Sequence, residues 1–265
     1  MPIYNKVELG RVAQQQGFVR DTFEKVLRLR EILRFLNEEE YLREHLLLKD
    51  GTAINLTVFN LPRLSVDIGM DYTPNDTKED MIKIELNYSL RAHILEPVHR
   101  RILPEIFDDG MTICMVTPMK IFAAKGNALI SRAAARDLYD WGNLIAKNLF
   151  ADERDMFRKC FVFYTTISAE TVNRDFDTSA IDSLKFDKIG RDFFPVLSKK
   201  DNFKLDERKQ QAKNYIADLM QLTEREQEYM DRFIAKEYVP KLLFDDEEIV
   251  GRIKEHPMAI WKCQQ

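Results

Sequence analysis

The sequence predicts an α+β protein: an N-terminal helix, then a small mixed sheet, then a helical C-terminal half. Three observations predict it. Apolar residues recur at helical spacing after Phe18, two segments between 64 and 90 alternate apolar and polar residues, and the chain from Pro118 onward is patterned as helices. The 265 residues suffice for one large domain or two modest ones, and the expected division falls at 1–117 and 118–265.

Each element follows from local pattern. Phe18, Val19, Phe23, Val26, Leu27, Ile32, Leu33 and Leu36 place a helix within 18–44. Leu46-Leu47-Leu48 is a short apolar run closed by Lys49-Asp50-Gly51-Thr52, and Ala53 to Phe59 reads as the helix after it, broken by Leu61-Pro62. Over 64–72, Leu64, Val66, Ile68 and Met70 alternate with Ser65, Asp67, Gly69 and Asp71, the period of a strand with one polar face. Pro74-Asn75-Asp76 is a turn. Met81 to Leu90 alternates again, with Lys83, Glu85 and Asn87 on the polar side, and Thr112 to Val116 is a further strand. Thr117 is the N-cap of a helix with Pro118 at its first position. Helices also fit 151–164 and 206–220, and Thr223-Glu224-Arg225-Glu226 is a capping-box pattern opening another toward Tyr238.

Composition narrows the classes. A net charge of -4 gives no global basic field for a nucleic-acid partner, although 40 Lys and Arg leave room for a local patch. Cys114, Cys160 and Cys263 are far apart and odd in number, so reduced thiols are expected rather than a disulfide framework or zinc site. No apolar stretch approaches the roughly 18 residues of a membrane span, and the N-terminus lacks the apolar core of a signal peptide. The expectation is a cytoplasmic protein with no membrane partner.

Three elements offer chemistry. In Lys49-Asp50-Gly51-Thr52, small residues before a helix let the backbone approach a phosphate, though such turns are usually only turns. On the polar face of the 64–72 strand, Asp67 suits Mg2+, a hard cation that takes oxygen ligands, and Glu85 of the next strand can converge on the same ion; the plainer reading is a solvated face. On an ideal helix Lys125, Arg132, Arg136 and Asp140 share one face. A surface ion-pair network would explain that face, but the segment is rich in Ala and Leu and reads as buried, so its charges need partners.

Together and in this order, these elements resemble the AbiEii-type nucleotidyltransferases, the toxin halves of bacterial abortive-infection and toxin–antitoxin pairs. That family opens on Lys-Gly-Gly-Thr-Ala and, about a dozen residues later, Arg-x-Ser-x-Asp-x-Asp. Here the counterparts are Lys49-Asp50-Gly51-Thr52-Ala53 and Arg63-Leu64-Ser65-Val66-Asp67-Ile68-Gly69. The family's later signature, a lysine followed by Ala-Leu-x-x-Arg and Arg-Asp-x-x-Asp, is matched by Lys125, Ala128-Leu129, Arg132 and Arg136-Asp137-Leu138-Tyr139-Asp140. The resemblance implies the nucleotidyltransferase fold. It also implies an NTP substrate, Mg2+ (or Mn2+), an RNA acceptor that in some members is the tRNA 3′ end, and a cognate antitoxin. It assigns Gly51, Thr52 and Ser65 to the triphosphate and Asp67 to the metal. Lys125 meets phosphate charge, and Arg132, Asp137 and Asp140 complete the site or hold Lys125. Glu85 is the expected third carboxylate, the base for the attacking hydroxyl.

Two positions depart from the family pattern. Asp50 stands where the first glycine of the pair belongs, adding a Cβ and a negative charge beside the expected triphosphate. Gly69 stands where the second metal aspartate belongs; Asp71 is the substitute ligand on the same face, but four strand residues span about 13 Å against about 7 Å for two. These departures divide an active toxin enzyme from a weakened member that binds nucleotide or antitoxin.

Overall fold

The chain divides into two units, each with its own core. The first comprises Met1–Leu86, Pro97–Val116 and Gly190–Asn202, and the second Asn87–Glu96, Thr117–Ile189 and Phe203–Gln265. The structure, a computed structural model, describes residues 6–65, 69–70, 82–83, 92–103, 106–107, 109–168, 172, 174–186, 189–190 and 193–265. Among these the fold is α+β and mostly helical, and no helix is long and apolar enough to cross a membrane. All three cysteines are free.

The first unit begins with α1 (Lys6–Gln16), α2 (Arg20–Glu38) and α3 (Glu40–His45). The helix expected over 18–44 is thus two, parted at Glu39, whose extended backbone (φ -77°, ψ 114°) ends one and starts the next. Helix α2 buries Phe23, Val26, Leu27, Leu29 and Leu33 along one stripe, as its apolar spacing requires. Arg30, at 4% exposure, joins Asp109 and lies over the Phe107 ring at 4.2 Å. Helix α4 (Asp50–Thr57) follows Leu48 directly.

Strands β1 (Gly69–Met70) and β2 (Ile82–Lys83) pair antiparallel, Gly69 opposite Lys83. The rest of the strands expected over 64–72 and 81–90 lies outside the described residues, apart from Leu64 and Ser65. Strands β3 (Val98–Arg101) and β4 (Thr112–Met115) pair antiparallel, Val98 opposite Met115, and Leu48 adds a parallel bridge to Met115. The Leu48 amide donates to the Cys114 carbonyl and the Val116 amide to the Leu48 carbonyl, each at 3.1 Å. Leu48 therefore enters α4 from a sheet position, which fixes where the Lys49–Thr52 turn sits.

The second unit is helical: α5 (Pro118–Ser131), α6 (Ala135–Ala146), α7 (Arg154–Ser168), α8 (Ser179–Asp182), α9 (Leu205–Leu219), α10 (Glu224–Ile234), α11 (Glu247–Ile253) and α12 (Pro257–Gln264). Thr117 caps α5 by accepting from the Lys120 amide, with Pro118 in the first turn. Thr223 and Glu226 close a complete capping box on α10. Helix α7 is buried at every residue from Cys160 to Ile167, so it packs on all sides. Helices α5, α10 and α12 lie against it, and Arg158 of α7 grips Glu226 of α10 at 3.0 and 3.1 Å.

Gly126 sets the approach of α5 to its neighbours. A Cβ there would stand 2.2 Å from Trp141 Cζ2 and 2.5 Å from Phe161 Cε2. Trp141 cannot easily yield: it is fully buried and its indole N–H donates to the Phe122 carbonyl at 3.0 Å. Alanine normally stabilises a helix interior by about 1 kcal/mol over glycine. Here overpacking, typically about 1–3 kcal/mol, outweighs that gain. Gly126→Ala is expected to lower the urea midpoint, and a midpoint that rises instead would show that α5 can move aside at no cost.

Candidate functional site

Residues at the start of α4 converge. Asp50 adopts φ 62°, a left-handed backbone that glycine takes freely and other residues take at a cost of about 1–2 kcal/mol. Aspartate is among the better tolerated side chains there. Its carboxylate turns to the Lys49 ammonium at the surface. The helix's first backbone bond, the Ala53 amide to the Lys49 carbonyl, is 3.4 Å, so the N–H groups before it belong to the open helix end. Thr52 donates its hydroxyl to Ser65 Oγ at 3.0 Å, both buried. Thus Gly51, Thr52 and Ser65 are brought together as the sequence predicts.

Ser65 is placed by a tight return of the chain. Asn60 and Leu61 adopt positive φ of 53° and 65°, and Arg63 then bridges antiparallel to Leu197. The Leu64 amide donates to the Val196 carbonyl at 2.7 Å. Arg63 is 1% exposed, and its Nη2 lies 2.8 Å from where a Gly51 Cβ would stand, with Ser65 Oγ at 3.5 Å from the same point. Sequence analysis assigned Arg63 no role of its own. Its position two residues before Ser65, on the polar phase of an otherwise apolar segment, is the available signal.

In the second unit the Lys125 ammonium lies 2.9 Å from Asp137 Oδ1 and 2.8 Å from Asp140 Oδ2. The Lys125 side chain is 12% exposed and that of Asp140 0%. Arg132 Nη2 stands 3.8 Å from Asp137 Oδ2 and is 75% exposed, so its guanidinium faces solvent. Lys125, Arg132, Asp137 and Asp140 gather across a turn; the helical face expected for Lys125, Arg132, Arg136 and Asp140 does not form, because α5 ends at Ser131 and α6 starts at Ala135. Arg132 ends α5, Ala133 takes a left-handed φ of 45°, and α6 packs back on α5. Lys125 reaches across that turn to α6, and Gly126-Asn127 lie inside α5 without breaking it.

Asp67, Asp71 and Glu85 lie outside the described residues. Among the described residues no three His, Cys, Asp or Glu side chains form a group able to hold a metal ion.

A second polar cluster escaped sequence analysis. Lys120, 9% exposed, hydrogen-bonds His93, and its ammonium lies 5.6 Å from the Tyr164 ring centroid. His256 is fully buried, edge-on to Phe163 at 5.4 Å. Burial first, and then the Lys120 charge, lowers both His93 and His256 to about 4. Arg252 donates twice to the Ile94 carbonyl, at 3.0 and 3.1 Å, fixing the backbone beside His93. Residues so far apart along the chain carry no shared signal.

This is a mostly helical α+β protein with a largely buried lysine shared by two aspartates and a polar helix start beside a buried arginine. A family model described as "Nucleotidyl transferase AbiEii toxin, Type IV TA system" matches residues 74–236, more than half of the chain, and the chain belongs to that family. The matched span contains Lys125, Arg132, Asp137 and Asp140 and begins beyond the Lys49–Gly69 signature. No curated protein and no solved structure matches the chain.

Two outcomes follow from this geometry. Lys125→Ala removes the ammonium that two buried carboxylates share and is expected to cost about 3–5 kcal/mol of stability. The Lys125→Met/Asp137→Asn/Asp140→Asn variant should recover much of that loss in urea unfolding. A Lys125→Ala protein as stable as wild type would show the triad to be solvated. For the histidines the sign is fixed by their lowered values. The unfolded chain binds their protons near 6.5 and the folded chain only near 4, so stability present above 6.5 is lost as pH falls toward 4. Urea midpoints between pH 7.5 and 4.5 should drop, and His256→Phe should flatten that drop; an unchanged slope in the variant would remove His256 from the account.

Proposed function

We propose that the protein is an NTP- and Mg2+-dependent nucleotidyltransferase whose acceptor is RNA, with the tRNA 3′ end as the leading candidate and a cognate antitoxin as its protein partner. The observation that supports this most is Lys125, a buried ammonium oriented by Asp137 and Asp140 within the family-matched span. A cation held in place before substrate arrives costs no reorganisation when phosphate charge develops.

In the reaction, the acceptor hydroxyl oxygen forms a bond to the NTP α-phosphorus, the bond to the β-phosphate bridging oxygen breaks, and pyrophosphate leaves. Glu85 is the proposed base for the hydroxyl proton. Gly51, Thr52 and Ser65 bind the triphosphate through backbone N–H groups and hydroxyls. Lys125 is the proposed cation for phosphate charge, Asp137 and Asp140 orient it, and Arg132 is a further nucleotide-binding candidate. Asp67 and Asp71 are the proposed metal ligands; bound Mg2+ supplies charge to the phosphates and helps align them.

A second reading is a weakened member kept for nucleotide or antitoxin binding. Gly69 favours it, because β1 carries no carboxylate where the family has its second metal aspartate.

Labelled NTP incorporation into total tRNA, with and without Mg2+, tests the first reading. Incorporation lost on chelation is expected. Gly69→Asp should raise metal-dependent NTP affinity, since residues 67 and 69 are two apart in the strand the sequence predicts over 64–72, a spacing at which two carboxylates can share one ion. Absence of both transfer and metal-dependent binding with every NTP would sink the enzyme reading. Identical titrations for wild type and variant, with wild type already active, would mean that the site lacks no ligand.

A further inference from the structure

We propose that Arg63 is a positioning residue of the nucleotide turn, resting on the reading of Gly51, Thr52 and Ser65 as triphosphate ligands. Its guanidinium lies close enough to Gly51, at the start of α4, that any side chain there would meet Nη2 at 2.8 Å. The same guanidinium is anchored from its own segment. Nη1 donates to the Leu64 carbonyl at 3.3 Å, the backbone is bridged to Leu197, and the residue is 1% exposed.

Two effects follow. The guanidinium occupies the space a Gly51 side chain would need, beside Ser65, whose hydroxyl already meets Thr52. It also places a positive charge beside Gly51 that burial leaves little screened. The proposed ligands thus share the start of α4 with a buried cation. Gly51 is required for this approach, and Asp50 beside it, with its carboxylate turned to Lys49, leaves the arrangement intact.

The two roles separate by substrate charge. An electrostatic contribution grows with the number of phosphates, whereas a purely structural one weakens every ligand alike. Binding of NTP, NDP and NMP with the same base is measured by titration calorimetry for wild type, Arg63→Lys and Arg63→Gln. Thermal melts of each confirm folding. Arg63→Gln is expected to lose about tenfold or more in NTP affinity, less for NDP and little for NMP, the scale of a lost charge-assisted contact. Arg63→Lys, keeping the charge but not the fork, should retain NTP affinity within a few-fold. Equal losses across the three ligands, or no loss in Arg63→Gln, would overturn the proposal. If Arg63→Gln does not fold, the comparison falls to Arg63→Lys, where a preserved preference for NTP over NMP supports the charge role and a lost one refutes it. If wild type binds none of the three, the nucleotide reading fails, and the Arg63 role with it. If wild type binds NTP and Arg63→Gln binds it equally well, only Arg63 is wrong.

Discussion

The second unit depends on one ion triad. A buried ammonium between two buried carboxylates is tolerable only if the geometry is held, because each charge taken from water must be offset by its partners. The turn through Ala133 supplies that geometry by folding α6 back on α5. Two adjacent contacts then join the same helices: Lys125 meets Asp140, and Gly126, the next residue, meets Trp141. The polar contact gives direction and the apolar one gives closeness. Neither survives alone, since a larger residue at 126 separates the helices and an uncharged one at 125 removes the charge that both aspartates share.

The first unit solves a similar problem. There a buried guanidinium, Arg63, is accommodated because Gly51 presents bare backbone. In both units a glycine lies beside a cation largely withdrawn from solvent, and the cation meets polar groups that the proposed function gives to substrate. A rigid shell around such groups is what a site needs if its charges are to act before the substrate orders them.

Local signals were legible in the sequence and distant ones were not. Thr117, Pro118 and the Thr223–Glu226 box act within one helical turn, so their caps were read correctly. Strand β3 was missed because Val-His-Arg-Arg shows no alternation; His99, Arg100 and Arg101 are all exposed. Helix α1 was missed because only Leu9 and Ala13 are buried. The spacing places Lys125, Arg132, Arg136 and Asp140 on one helical face, whereas Lys125, Arg132, Asp137 and Asp140 meet across a turn. A continuous helix was assumed where Ala133 turns left-handed, and nothing in Ser-Arg-Ala-Ala-Ala marks that turn. His93 and His256 meet Lys120 through tertiary packing alone.

The return of residues 190–202 to the first unit bears on how the protein is made. Leu197 and Val196, which align Arg63 and Leu64, are synthesised well over a hundred residues after them. The ribosome therefore releases the segment bearing Arg63 and Ser65 long before its pairing partner exists. That segment cannot reach its final register until most of the second unit has emerged. A protein assembled in this order leaves the Arg63 bridge unfinished through most of translation.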